Sequence, residues 1–206
     1  MPNGLRGLDV SSYQGLVDWA GVASSGLSYA YVKATEGLTV NDAQFTRNWQ
    51  VSKQRGIYRG AYHFFHFSDD PIAQADFFVA SANPQPGDLP PAVDVETTDG
   101  ISDVTQLVQK LSAFITEVEN NLGGKKMVIY TYYGFWNASM NGSDAFSGHP
   151  FWIAEYNNDN APTLPHGWND WLIWQYASNG TVTGVNTSVD LNVLNGDANT
   201  LSGILL

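Results

Sequence analysis

The chain contains no cysteine. Disulfides, thiolate zinc sites and cysteine nucleophiles are thereby excluded, and the missing disulfides fit the cytosol without ruling out secretion. Charge is also scarce: 14% of the 206 residues are Asp, Glu, Lys or Arg, and nine of them are basic. These nine form no cluster and the net charge is −11, which argues against nucleic acid and against an anionic membrane surface as partners. No stretch reaches the ~18 continuous apolar residues of a membrane span. The opening "MPNGLRGLDV" has no apolar h-region, so the chain is expected to carry no export signal of its own; one removed before the numbering began would leave no trace. What is present is core-forming material: 43% hydrophobic residues, 13% aromatic residues and twenty glycines. No internal repeat, low-complexity tract or linker interrupts it, and the expectation is one monomeric domain spanning 1–206.

Short apolar runs alternate with longer helical stretches. "GLRGLDVSS" (4–12), "YAYVKAT" (29–35), "RGAYHFF" (59–65), "PAVDVE" (91–96) and "MVIYTYY" (127–133) read as five strands, rich in β-branched and aromatic residues. Between them, 69–82 opens with an Asp at an N-cap position and an early Pro. In 102–124, Val104, Leu107, Val108, Leu111, Ile115, Val118 and Leu122 keep a helical spacing, and Gly123 and Gly124 supply the stop. After residue 150 the rhythm changes: 151–156, 171–178 and 189–194 are strand-like with no long helix between them. The spacing predicts an α/β fold: a single flattened TIM-like β/α barrel with a parallel sheet, five β/α units followed by three β-rich strands.

Acids stand where such a barrel places its chemistry. Asp94 and Glu96 lie two apart in "PAVDVE", so on a strand both point the same way, and burying two like charges together is costly. The plainer reading is a strand end whose acids reach water or cap the next segment. Asp9 closes strand one in "GLDVSS", and Asp190 opens the last strand in "SVDLN". Barrel closure brings first and last strands together, so all four could face one cleft at the C-terminal strand ends. Each acid alone is more simply a cap or turn residue; convergence of four under one topology favours a site. Two carboxyls flanking a bond are the equipment of glycoside hydrolysis, with repulsion and burial driving their pKa values apart. Aromatic faces suit sugar rings. Tyr62, Tyr130, Tyr132, Trp152, Tyr156, Trp174 and Tyr176 all lie in strand candidates, and no more than half are expected to line a groove.

Taken in order, "GLDVSSYQGLVDW" (7–19), "YVKATEG" (31–37), "GAYHFF" (60–65), "PAVDVE", "FWIAEY" (151–156) and "WQYASNGTVTGVNTSVDLNVLNG" (174–196) resemble glycoside hydrolase family 25, the Chalaropsis-type lysozymes. The resemblance spans nearly the whole chain. It implies the flattened barrel and an N-acetylmuramidase that cleaves the β-1,4 bond from N-acetylmuramic acid to N-acetylglucosamine in bacterial peptidoglycan, outside the cell. It further implies Glu96 as general acid, Asp94 as its partner, and Asp9 and Asp190 as acids completing the cleft. Tyr62, Lys33, Tyr132, Tyr156 and Gln175 are the expected substrate-binding set. No cofactor and no metal is implied. The tail "GDANTLSGILL" receives no role, and no cell-wall-binding repeat follows the barrel, which leaves wall targeting open.

Other features read more plainly. His63 and His66 in "YHFFHF" lack clustered partners for zinc and are expected in the core or at the groove rim. Lys33 and Glu36 are expected to pair, with substrate contact also open to them. The sequons at Asn137, Asn141, Asn179 and Asn186 matter only in a eukaryotic secretory pathway. Three competing functions were weighed: a chitinase-like hydrolase, a non-catalytic glycan-binding barrel, and a phosphodiesterase using Asp9, Asp94, Glu96 and Asp190 as magnesium ligands.

Overall fold

The computed structural model describes residues 4–157 and 159–206; residues 1–3, part of the export-signal reading, lie outside them. Nine strands are present: β1 (Leu5–Val10), β2 (Tyr29–Glu36), β3 (Val40–Asn41), β4 (Tyr58–Phe64), β5 (Ala92–Asp94), β6 (Val128–Tyr132), β7 (Phe151–Ala154), β8 (Ile173–Gly180) and β9 (Val189–Leu194). They hydrogen-bond in the order β1-β9-β8-β7-β6-β5-β4-β2-β3, and a further β1–β2 pairing closes a barrel from which the two-residue β3 hangs off β2. Five helices follow the strands of the first half: α1 (Trp19–Ser24), α2 (Phe45–Gln54), α3 (Pro71–Ala82), α4 (Val104–Asn121) and α5 (Tyr133–Ser139). The β/α barrel with five β/α units is therefore the architecture found. The sheet is mixed rather than parallel: β9 runs antiparallel to both β8 and β1.

Local chemistry explains the long helices. Asp70 caps α3 by accepting from the Ala73 N–H, with Pro71 at the first helical position. Asp103 caps α4, and its buried face (Leu107, Leu111, Phe114, Ile115, Val118) is the stripe the spacing predicted, with Phe114 added. Gly123 and Gly124 follow with φ of 65° and 86°, a conformation costly for other residues. A sixth helix, not foreseen, is α6 (Ala198–Gly203) in the tail, capped by Asp197. Its Leu201 is buried against the barrel, and the Leu206 N–H donates to the Asp88 carbonyl.

Alternation along the strands makes two cores. Outward-facing residues such as Val10, Val32, Phe65, Val93 and Ile153 pack with the helices. Inward-facing Tyr29, Tyr31, Ala92, Val128, Tyr130, Trp152, Ile173 and Leu194 fill the barrel. The large rings fit because glycines face them: a Cβ at Gly7 would lie 2.5 Å from the Tyr29 ring, and one at Gly60 2.4 Å from the Tyr31 ring. Tyr31 and Tyr130 pack on Trp152 with ring centres 4.7 and 4.8 Å away, making a rigid aromatic floor at the barrel's middle.

Candidate active site

Above that floor, at the C-terminal ends of the parallel strands, lies a cavity of about 240 Å³ lined by Asp9, Tyr62, Asp94, Glu96, Tyr130, Trp152, Tyr156, Gln175 and Asp190. All four acids predicted from sequence are brought together. Asp190 reaches this mouth because β9 is antiparallel: the second residue of β9 pairs with Asp9, near the end of β1. Asp94 is the last residue of β5, and Glu96 lies just beyond it rather than on the strand. Of the expected substrate-binding residues, Tyr62, Tyr156 and Gln175 line the cavity; Lys33 and Tyr132 do not. The Lys33 ammonium is bound 2.6 Å from Glu36 Oε2. Tyr132 ends β6 where the chain turns straight into α5, which leaves it 39% exposed and packed beside Phe135.

Four of the seven strand aromatics line the cavity, one more than expected: Tyr62, Tyr130, Trp152 and Tyr156. Trp174 is core, its indole N–H donating to the Glu155 carbonyl at 2.7 Å. The site residue missed entirely is Asn192. The signal was available: Asn192 follows Asp190 by two in "VDLN", so both face one way, as Asp94 and Glu96 were reasoned to do.

Hydrogen bonds fix the polarity of Asp9. Tyr130 Oη and Tyr156 Oη both donate to Gln175 Oε1, at 3.0 and 2.7 Å, so the Gln175 amide N–H is turned to Asp9 Oδ2 at 2.9 Å. The Trp152 indole N–H donates to Asn192 Oδ1 at 2.8 Å, and the Asn192 amide N–H reaches the same Asp9 oxygen at 2.7 Å. Two oriented donors on one oxygen favour a charged acceptor. Burial pushes the Asp9 carboxyl up to about 6, and these donors oppose the rise. Asp190, which lacks such donors, is pushed up to about 8 by burial and then by the charge of Asp9. The pair therefore holds a proton on Asp190 and a charge on Asp9 near neutral pH.

Asp94 and Glu96 form the second pair, within hydrogen-bond reach of each other. Burial, then the charge of Glu96, holds Asp94 well above the carboxylate range, and burial raises Glu96 as well. Asp94 Oδ1 is buried with no protein partner, so nothing anchors this pair as Gln175 and Asn192 anchor Asp9. Two carboxyls in contact and out of water keep one proton between them.

Neither His63 nor His66 lines the cavity. His63 is buried between Thr35 Oγ1 (2.7 Å from Nδ1) and Gln74 Oε1 (3.2 Å from Nε2), stacked on Phe114. His66 sits at the rim between Glu36 and Asp99. Among the described residues no group of three or more His, Asp or Glu side chains is gathered to hold a metal ion, and no helix is long and apolar enough to cross a membrane.

A proton held between carboxyls at the mouth of a β/α barrel, walled by aromatic rings, is the working equipment of a glycoside hydrolase. Comparison with known proteins agrees. The family model for glycosyl hydrolases family 25 matches residues 8–185. Lysozyme M1 of Streptomyces globisporus is 38% identical, over 95% of this chain and 69% of that protein. The N,O-diacetylmuramidase of Chalaropsis sp is 31% identical, over 90% of this chain and 96% of that one. The bacterial lysozyme from Streptomyces coelicolor superposes with a TM-score of 0.93 at 34% identity, covering 98% of this chain and 97% of that structure. The chain belongs to glycosyl hydrolases family 25, and it is an enzyme of the lysozyme type.

Proposed function

We propose that this protein is an N-acetylmuramidase of bacterial peptidoglycan, acting outside the cell as a monomer, with Glu96 as general acid and Asp94 assisting. The observation that carries the reading is the Asp94–Glu96 pair: two neighbouring carboxyls, one of them buried and unanchored, at a sugar-sized cavity lined by aromatic rings. Glu96 is the more exposed member, which supports it as the acid. Tyr62, Tyr156 and Gln175 contact the sugar at the cleavage point, and Tyr132 and Lys33 act at the rim.

The reaction favoured is substrate-assisted retention. As substrate enters, Asp94 turns to accept the N–H of the 2-acetamido group, and the shared proton stays with Glu96. Glu96 gives it to the leaving oxygen while the acetamido oxygen attacks the anomeric carbon; the C–O bond breaks and a cyclic oxazolinium forms. Water then opens the ring, giving its proton to the Glu96 carboxylate, and the anomeric configuration is retained. Asp9 stays charged and stabilises the developing positive charge. This requires no metal and no cofactor.

Mass spectrometry of a wall digest tests the activity: muropeptides with new N-acetylmuramic reducing ends are expected, and reducing ends on N-acetylglucosamine would make the enzyme a glucosaminidase. NMR of the first-released anomer tests the mechanism. Initial α product from the β-linked chain refutes retention, and retention without inhibition by a thiazoline analogue points to direct attack by Asp94.

A further inference from the structure

Beside the acid cavity, four side chains form a line of alternating charge: Lys33, Glu36, His66 and Asp99. A regular strand would keep the first two apart, since residues three apart point to opposite faces. The register of β2 against β4 slips between Lys33 and Thr35, leaving Ala34 as an extra residue. The bulge lets Thr35 turn outward to His63 while Glu36, paired with Phe64, comes round to the side of Lys33. Glu36 then holds the Lys33 ammonium through Oε2 at 2.6 Å and meets His66 Nε2 through Oε1 at 3.3 Å. His66 Nδ1 lies 3.1 Å from Asp99 Oδ1, and Asp99 is fixed in turn by the Ser68 N–H and the Thr97 hydroxyl.

The other end of the line faces the acids. The Lys33 ammonium stands 5.2 Å from the centre of the Phe64 ring, and Phe64 is the β4 residue in register with Asp94. Lys33 is the cation whose field reaches both Asp94 and Glu96.

We propose that this line is a positioning device for the reaction: His66, clasped between Glu36 and Asp99, fixes the Lys33 ammonium beside the Asp94–Glu96 pair and changes the charge that the pair feels when it gains or loses a proton. The proposal rests on Asp94 and Glu96 being the reacting acids. With His66 protonated, Glu36 is shared between two cations and leaves the Lys33 charge less cancelled; with His66 neutral, Glu36 cancels Lys33 more fully and the pair holds its proton to higher pH. Two further titratable groups face this line: His63, buried behind Thr35 and within the field of His66 and Lys33, and Asp69, which flanks Gly37 together with His66; the Lys110 ammonium is turned to the Phe67 and Asp69 carbonyls. Partial burial works against the His66 proton, but the hydrogen bonds to Asp99 and Glu36 outweigh it and raise His66 above its ordinary range.

Carbon-13 NMR titration of the Asp94 and Glu96 carboxyl carbons tests this without turnover. Lys33→Met should move the pair's titration up by about one pH unit, the size expected for one charge a few ångströms away behind partial screening. Lys33→Arg should restore it. His66→Gln should remove the inflection that His66 imposes on the pair, and should have almost no effect in the Lys33→Met background. The basic limb of kcat/KM against pH should move with the NMR curve. If Lys33→Met raises KM and leaves both curves in place, Lys33 is a plain substrate contact and the proposal is overturned. If His66→Gln acts equally with and without Lys33, the line is not the route. Absence of muramidase activity would overturn the proposed function alone, because the carboxyl titrations are read regardless.

Discussion

Raising the pH from about 6.5 to 8 should cost this fold stability, through Asp190. Its carboxyl is pushed up to about 8 by burial and by the charge of Asp9, from an ordinary value of 3.8. An acid raised in the folded state contributes stability that is complete below its unfolded pKa and is lost as pH climbs through the folded one. Asp9, raised to about 6, has finished its loss by then. His63 works the other way: burial lowers it to about 4 from 6.5, so its contribution grows between those values and is then complete. Between about 6.5 and 8 the contribution of Asp190 is lost, His66 and the raised Asp94–Glu96 pair act in the same direction, and comparison with Asp190→Asn separates Asp190 from them. About 1.5 units at 1.36 kcal/mol each is roughly 2 kcal/mol; Asp190 is partly exposed, so screening halves it to about 1 kcal/mol. For a chain of this size that is a Tm change of about 2–4 °C. Circular-dichroism melts at both pH values, for the wild type and Asp190→Asn, measure it. The wild type should lose about that much relative to the variant; parallel curves, or a wild type that gains on the variant, refute the assignment of the proton to Asp190.

Glu96→Gln should lower wall-clearing activity by about 10²–10⁴-fold with unfolding unchanged, and Asp94→Asn should be similarly damaging. Asn192→Leu strands the Trp152 indole N–H and removes a donor from Asp9; urea denaturation should show a loss of about 3 kcal/mol, and the acid limb of the rate profile should rise by about one pH unit, because a charged acceptor loses more than a neutral one. Gly60→Ala drives a methyl group to 2.4 Å from Tyr31 Cε1, and Tyr31 is backed by Trp152; thermal melts should register about 1–3 kcal/mol of overpacking, and an unchanged Tm would mean that the barrel interior yields more easily than its ring contacts imply.

The strands were legible because their chemistry is local. Each apolar run rich in β-branched and aromatic residues became a strand; α3 announced itself through its Asp cap and Pro, and α4 through its apolar spacing and glycine stop. The helices not read lack a side-chain cap or the length to show a period, Asp18 and Asp197 capping the two shortest. α2 and α5 have no side-chain cap hydrogen bond, and α1 and α6 span six residues each, too few to show a period. The four acids stood out because each interrupts an apolar strand. The displacement of Lys33 from the cavity was not legible: it depends on a register slip between two strands, a property of neither strand alone. The direction of β9 was hidden for the same reason, since an antiparallel return after β8 needs only a connection that either geometry tolerates.

Those two irregularities lie at the same end of the barrel. Had β9 run parallel, Asp190, near its start, would sit at the base beside Leu5 and Ile173, and Asp9 would have no acidic partner. Antiparallel β9 instead delivers Asp190 and Asn192 to the mouth together, one facing Asp9 as a like group and the other answering it as a donor. The two acid pairs consequently differ in kind. Asp9 is clamped by amides whose own orientation is set by Trp152, Tyr130 and Tyr156, so its charge cannot move without disturbing the aromatic floor. Asp94 has a bare buried oxygen and a neighbour on the next-but-one residue, so its proton can pass to Glu96 with little else displaced. In the proposed reaction the fixed pair supplies the field and the loose pair supplies the proton. A single cluster of four equivalent acids could do neither, because each would titrate against all the others.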